Sequence, residues 1–154
     1  MDFLATRAFR LADEPAVIDL WRRCGLVVSH NNPHKDIVRK MKVGPDLFRV
    51  GEFEGRIVGT VMAGYEGHRG WINYLAVDPE HRKRGFGRQL MEDAERLLRA
   101  EGCPKINLQV RRTNSGVLAF YAAIGYLEDN VVSLGKRLEP DEPASAAPDP
   151  QSKH

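Results

Sequence analysis

Apolar positions along the chain keep two rhythms, one near 3.6 residues and one of two. The helical rhythm is clearest over residues 86–100. There Leu90, Met91, Ala94, Leu97 and Leu98 mark one face, Glu92/Arg96 and Glu95/Arg99 make i,i+4 pairs on the other, and Gly102 suits a left-handed stop. Val17, Leu20, Trp21 and Cys24 repeat it after the start signal Asp13-Glu14-Pro15, and Gly25 ends that helix. Asn32-Pro33 opens a shorter helix carrying Ile37 and Met41, and a last helix is expected over 115–124. Strands are predicted over 3–9, 47–53, 56–65, 71–77 and 105–110, with a closing strand over 128–138. Glu54-Gly55 makes a hairpin turn between the second and third strands, and Asp78-Pro79 ends the fourth. The order is β-α-α-β-β-β-α-β-α-β. Hairpins followed by a strand-helix-strand unit predict an α/β (α+β) fold, a mixed sheet with helices on its faces.

Composition narrows the class. The chain has 154 residues, 42% hydrophobic and 29% charged, which fits one globular domain. The net charge of +2 hides an asymmetry, because residues 139–154 carry four acids against one lysine, together with four of the nine prolines. We expect a domain over 1–138 and a flexible acidic Pro/Ala-rich tail over 139–154. The longest stretch without Asp, Glu, Lys or Arg runs from Thr113 to Leu127 and contains Gly116 and Gly125, too short and too broken to span a bilayer. Met1-Asp2-Phe3 shows no basic-then-apolar leader. Cys24 and Cys103 lie far apart, without the pairing of a zinc site or a disulfide framework. Together these features predict a soluble cytoplasmic protein without a metal site or membrane partner.

The candidate chemistry lies at His81-Arg82-Lys83-Arg84-Gly85-Phe86-Gly87-Arg88, between a strand and the strongest helix. Two glycines allow close backbone approach, and a helix start leaves N–H groups unpaired. Arg82, Lys83, Arg84 and Arg88 add positive charge, so the segment suits a pyrophosphate. The glycine spacing matches neither a P-loop nor a dinucleotide fingerprint. By charge alone the run would be a solvated basic loop; its placement gives it a ligand. A nucleic-acid partner is not expected from one short cluster without an aromatic platform.

Arg82-x-x-Gly85-x-Gly87, preceded by Tyr74-Leu75-Ala76-Val77-Asp78-Pro79, resembles the acetyl-CoA signature of GNAT-superfamily N-acetyltransferases. Asn114, Ala119-Phe120-Tyr121 and Ile124-Gly125-Tyr126 resemble its second signature, and the likeness covers about residues 3–138. The segments 64–70 and 133–138 are similar to those of a bacterial branch of that superfamily. The resemblance implies a mostly antiparallel sheet of six to seven strands with helices on both faces. It implies that Leu75, Ala76 and Val77 pair through their backbone with the pantetheine arm of acetyl-CoA, and that an N–H near Val77 polarises the thioester carbonyl. It implies that Lys83, Arg84, Gly85, Phe86, Gly87 and Arg88, with Arg82, hold the pyrophosphate, and that Asn114 bonds the pantetheine arm. Tyr121 is implied as the acid that protonates the leaving thiolate. Asn114 as a helix cap and Tyr121 as a core aromatic are the competing readings.

Members that acetylate protein N-termini carry a Glu where this chain has Gln109, which cannot accept a proton. Glu66 and His68, in the turn 65–70, are the replacement candidates for general base, with water the third. The loop His30-Asn31-Asn32-Pro33-His34 falls where this fold builds its acceptor pocket. The implied function is transfer of an acetyl group from acetyl-CoA to a primary amine of a small molecule or peptide. The alternative is a non-catalytic acyl-CoA-binding sensor. Pairing of closing strands between protomers would make a homodimer.

Overall fold

One sheet organises the chain, in the order β1-β2-β3-β4-β5. We describe residues 2–141 of a computed structural model. The elements run β1 (Ala5–Ala8), α1 (Glu14–Arg23), α2 (Pro33–Lys42), β2 (Phe48–Phe53), β3 (Arg56–Tyr65), β4 (Gly70–Val77), α3 (Phe86–Ala100), β5 (Ile106–Leu108) and α4 (Ser115–Ala123). Strands β1 to β4 pair antiparallel, and β5 lies parallel to β4. The turn between β2 and β3 holds Glu54 and Gly55 at φ +52° and +77°, the left-handed pair that suits a tight hairpin.

The alternation of β-strand side chains divides the core between two faces. Val58, Val61, Ala63 and Ile72 meet Leu90, Met91, Ala94 and Leu98 of α3, and Tyr121 of α4 joins them. Phe48, Val50, Met62 and Ala76 meet Val17, Leu20 and Trp21 of α1 and Ile37 of α2 on the other face. No helix among the described residues is long and apolar enough to cross a membrane.

Among the described residues the sheet has five strands where six to seven were expected, and the closing strand over 128–138 does not form. Val131, Val132 and Leu134 stay 77%, 83% and 90% exposed. The segment is tied instead by side chains, Lys105 to Asp129 at 2.8 Å and Gln109 to Ser133. An apolar run makes a strand only where an edge offers a ladder, and β5 pairs over just three residues. Farther on, Asp141 accepts both Nη1 and Nη2 of Arg39 at 2.8 Å, so the chain returns to α2 there. The part of the expected tail beyond Asp141 lies outside the described residues.

Candidate active site

Strands β4 and β5 part before β4 ends. Their pairing stops at Ile72↔Leu108, while β3 stays paired with β4 up to Gly59↔Val77. Among the described residues, 73–77 of β4 therefore have one edge without a strand, next to the helix that follows. The Asp78 N–H donates to Val58 O on the β3 side, at 2.8 Å. By the alternation of a strand, the N–H and C=O of Val77 then face the open side. There the Val77 carbonyl accepts from Arg82 Nε at 3.1 Å and Cys24 Sγ at 3.3 Å.

The edge is also bent. Thr60 pairs with Ala76 and Met62 with Asn73, so Tyr74 and Leu75 together face Val61. Tyr74 takes a left-handed φ of +50° in this bulge. Its ring stacks on Trp21 at 3.8 Å, its hydroxyl donates to Asp36 at 2.6 Å, and it accepts from Asn31 Nδ2 at 2.8 Å. Burial and the Asp36 carboxylate hold its phenol well above the usual range. Alternation alone does not place a bulge, so this group of Trp21, Asn31, Asp36 and Tyr74 escaped the sequence reading. Asn31 does come from the loop expected to build the acceptor pocket.

At the end of β4, Asp78 is 1% exposed and turns the chain. Its Oδ1 accepts from Glu80 N at 3.0 Å, and its Oδ2 lies 2.7 Å from Arg23 Nη1, an ion pair off hydrogen-bond alignment. Burial opposes its ionisation, but Arg23 and the Glu80 N–H outweigh it and leave the carboxyl below its ordinary range. Lys83 and Gly85 then adopt φ +64° and +83°, and α3 begins. The first helical bond runs from Gln89 N to Gly85 O at 3.1 Å, so the N–H groups of Phe86, Gly87 and Arg88 have no partner within the helix. No side chain caps this end and its first turn carries no acid. Lys83 and Arg88 are exposed around it, as is Arg84, which lies over the Phe53 ring at 5.6 Å. A polar, cationic helix start thus stands beside an unpaired strand edge. Phe86 differs from its neighbours, because its side chain is buried core.

Helix α4 borders this region. Asn114 Oδ1 accepts from Val117 N at 3.3 Å and caps it. Phe120 packs on Gly87, where a Cβ would stand 3.1 Å from its ring. Tyr121 is 8% exposed and packs edge-on against Phe120 and Tyr126, with no hydrogen bond to its hydroxyl among the described residues. Burial pushes its phenol up to about 12. Cys24 is half-buried, and burial raises its thiol, which suits a hydrogen-bond donor rather than a nucleophile.

Glu66 and His68 are not brought to this edge. They lie in the turn before Gly70, about 10 Å along β4 from Asn73, where the open edge begins, and about 17 Å from Leu75, at the rise of a strand. The Glu66 carboxylate accepts from the backbone N–H groups of His68, at 2.8 Å, and Arg69. The Arg69 bond, the larger influence, and the His68 bond hold its carboxyl below the ordinary range, although it is exposed. Gln109 is likewise occupied, with Ser133.

Comparison with known proteins agrees with this architecture. Acetyltransferase SG1711 of Sodalis glossinidius (strain morsitans) is 47% identical over 137 residues, covering 88% of this chain and 96% of that protein. The crystal structure of Ard1 from Thermoplasma volcanium superposes with a TM-score of 0.70 at 23% identity, covering 80% of this chain and 82% of that one. The PaiA N-acetyltransferase of Thermoplasma acidophilum, solved in complex with coenzyme A, gives 0.69 at 16% identity over 85% of this chain and 94% of that one. Both likenesses concern the fold. Residues 9–126 match the acetyltransferase (GNAT) family, and the chain belongs to it.

Proposed function

We propose that the protein is an N-acetyltransferase that takes acetyl-CoA as co-substrate and a primary amine, on a small molecule or a peptide, as acceptor. The observation that carries this reading is the unpaired β4 edge over 73–77 beside the uncapped start of α3. An extended arm can add to such an edge as a strand does, and a pyrophosphate suits the free N–H groups and positive end of α3. Acetyl-CoA supplies an activated acetyl thioester, open to direct attack by an amine.

In this reading Leu75 and Val77, whose polar groups face the open side, hold the pantetheine arm through their backbone, with Ala76 between them paired to Thr60 on β3. The N–H groups of Phe86, Gly87 and Arg88 hold the pyrophosphate, with Gly85 shaping the turn and Arg82, Lys83, Arg84 and Arg88 supplying charge. Asn114 keeps its amide nitrogen for the arm while its oxygen caps α4. The Tyr121 hydroxyl, protonated throughout the physiological range, gives its proton to the departing sulfur. The acceptor's proton leaves to water, a choice supported by the Glu66 carboxylate already accepting from the His68 and Arg69 N–H groups. A cytoplasmic location belongs to the same proposal, consistent with two free cysteines.

Calorimetric titration with acetyl-CoA, and separately with ATP and NADH, tests it. Saturable binding of acetyl-CoA alone, followed by amine-dependent release of free thiol, is the expected result. Binding without release under any amine would instead support an acyl-CoA sensor, and no binding to the folded protein would overturn the reading.

A further inference from the structure

Thr60 carries a hydroxyl in the apolar run Ile57-Val58-Gly59-Thr60-Val61-Met62-Ala63, and it is completely buried. Its Oγ1 lies 2.9 Å from Trp21 Nε1 and 2.9 Å from Tyr74 O. An indole N–H only donates and a carbonyl only accepts, so the direction of both bonds is fixed. Trp21 donates to Thr60, and the Thr60 proton points at the Tyr74 carbonyl. That carbonyl belongs to the bulged residue, whose left-handed backbone β-strand pairing alone does not hold.

The peptide joining Tyr74 to Leu75 is trans, so its N–H points opposite to its C=O. With the Tyr74 oxygen held toward β3 by Thr60, the Leu75 N–H faces the open edge that β5 has left. The pairing of Ala76 with Thr60 gives the same direction independently, because Leu75 must then turn its own polar groups away from β3. We propose that Thr60 is a positioning residue: oriented by Trp21, it fixes the peptide plane of Tyr74 and Leu75 so that the Leu75 N–H, rather than one at Val77, is the donor to the thioester carbonyl. The proposal rests on the acetyl-CoA reading. Its energetic logic is preorganisation: a donor fixed before the ligand arrives acts without the cost of turning a peptide.

The test follows the bound ligand rather than turnover. Acetyl-CoA labelled with carbon-13 at the acetyl carbonyl is bound to the full chain, and its carbonyl band is read by isotope-edited infrared difference spectroscopy. We expect the wild-type band to lie below that of free acetyl-CoA. Thr60→Val should bind acetyl-CoA within about threefold of wild type, well under the tenfold that 1.4 kcal/mol represents, yet lose most of the downshift. Thr60→Ser should restore it. Should Thr60→Val not fold, Thr60→Ala supplies the same comparison with a smaller side chain. A wild-type band in a folded Thr60→Val or Thr60→Ala protein overturns the positioning role while acetyl-CoA binding stands. Wild-type protein that does not bind acetyl-CoA overturns both.

Discussion

The Phe120 ring lies against the backbone of Gly87, with Cζ and Cε1 only 3.1 and 3.2 Å from where a Cβ on that glycine would be. The smallness of Gly87 therefore serves the seating of α4 on α3. Gly87→Ala should push Phe120, and Tyr121 beside it, by a few tenths of an ångström. Added helix propensity offsets part of the crowding, so stability should stay within about 1 kcal/mol of wild type. Turnover should fall more than acetyl-CoA affinity, and adding Phe120→Leu should recover part of it. Denaturant melts and thiol-release kinetics on the single and double variants check this; unchanged turnover in Gly87→Ala would remove the link between α4 seating and Tyr121.

Gly85 plays a different part. Its φ of +83° is one that an ordinary L-residue adopts at a cost of about 1–2 kcal/mol, with Asn and Asp affected least. Gly85→Asn and Gly85→Asp share this strain and differ by one charge, placed where the free N–H groups of α3 meet the proposed pyrophosphate. Gly85→Asn should keep acetyl-CoA binding, and Gly85→Asp should lose it by about tenfold or more, a difference that narrows as salt rises. Calorimetry at two ionic strengths measures it. Equal affinities for the two variants would place the phosphates elsewhere.

These two glycines show where sequence reading succeeds and stops. The motif located both, but only packing separates the one that bends the chain from the one that makes room for Phe120. Helix α3 was legible to the residue, because Leu90, Met91, Ala94 and Leu98 define its stripe without help from distant parts of the chain. The bulge at Tyr74 and Leu75 was not, because a broken alternation at Asn73-Tyr74 reads equally well as the end of a strand. Thr60 inside an apolar run was the one trace of it. The strand expected over 128–138 failed for the same reason in reverse, since Val131, Val132 and Leu134 carry the propensity but lack the ladder.

The turn before β4 yields the third prediction. Glu66 spends its carboxylate on two backbone N–H groups at the far end of the strand from Val77. Glu66→Gln keeps an acceptor oxygen for them, and His68→Ala removes only the imidazole. Neither variant should change turnover by more than about twofold, against the ~10²- to 10⁴-fold that loss of a general base costs. A pH–rate profile of each, compared with wild type, decides the matter. A large loss, or the disappearance of an acid limb in either variant, would return the base to this turn.

Tyr121 combines burial, a free hydroxyl and a place beside Phe120, and those three facts separate its effect on rate from its effect on stability. Because no group among the described residues bonds the hydroxyl, Tyr121→Phe should fold normally and bind acetyl-CoA like wild type. Turnover should fall by about 10²-fold or more, the contribution of a positioned acid. Stability at high pH gives a second, independent reading. Burial raises the phenol from its ordinary 10.0 to about 12 in the folded chain. The unfolded chain therefore releases this proton first, and wild type loses stability as pH rises from about 10 to about 12. The phenylalanine variant has no such proton to release. Its stability should fall less steeply through that window, by on the order of 2–3 kcal/mol in total. Denaturant melts of both proteins from pH 9 upward measure the difference. Parallel curves would mean that the hydroxyl reaches solvent, and that the protonated acid invoked for the leaving sulfur is not held by this pocket.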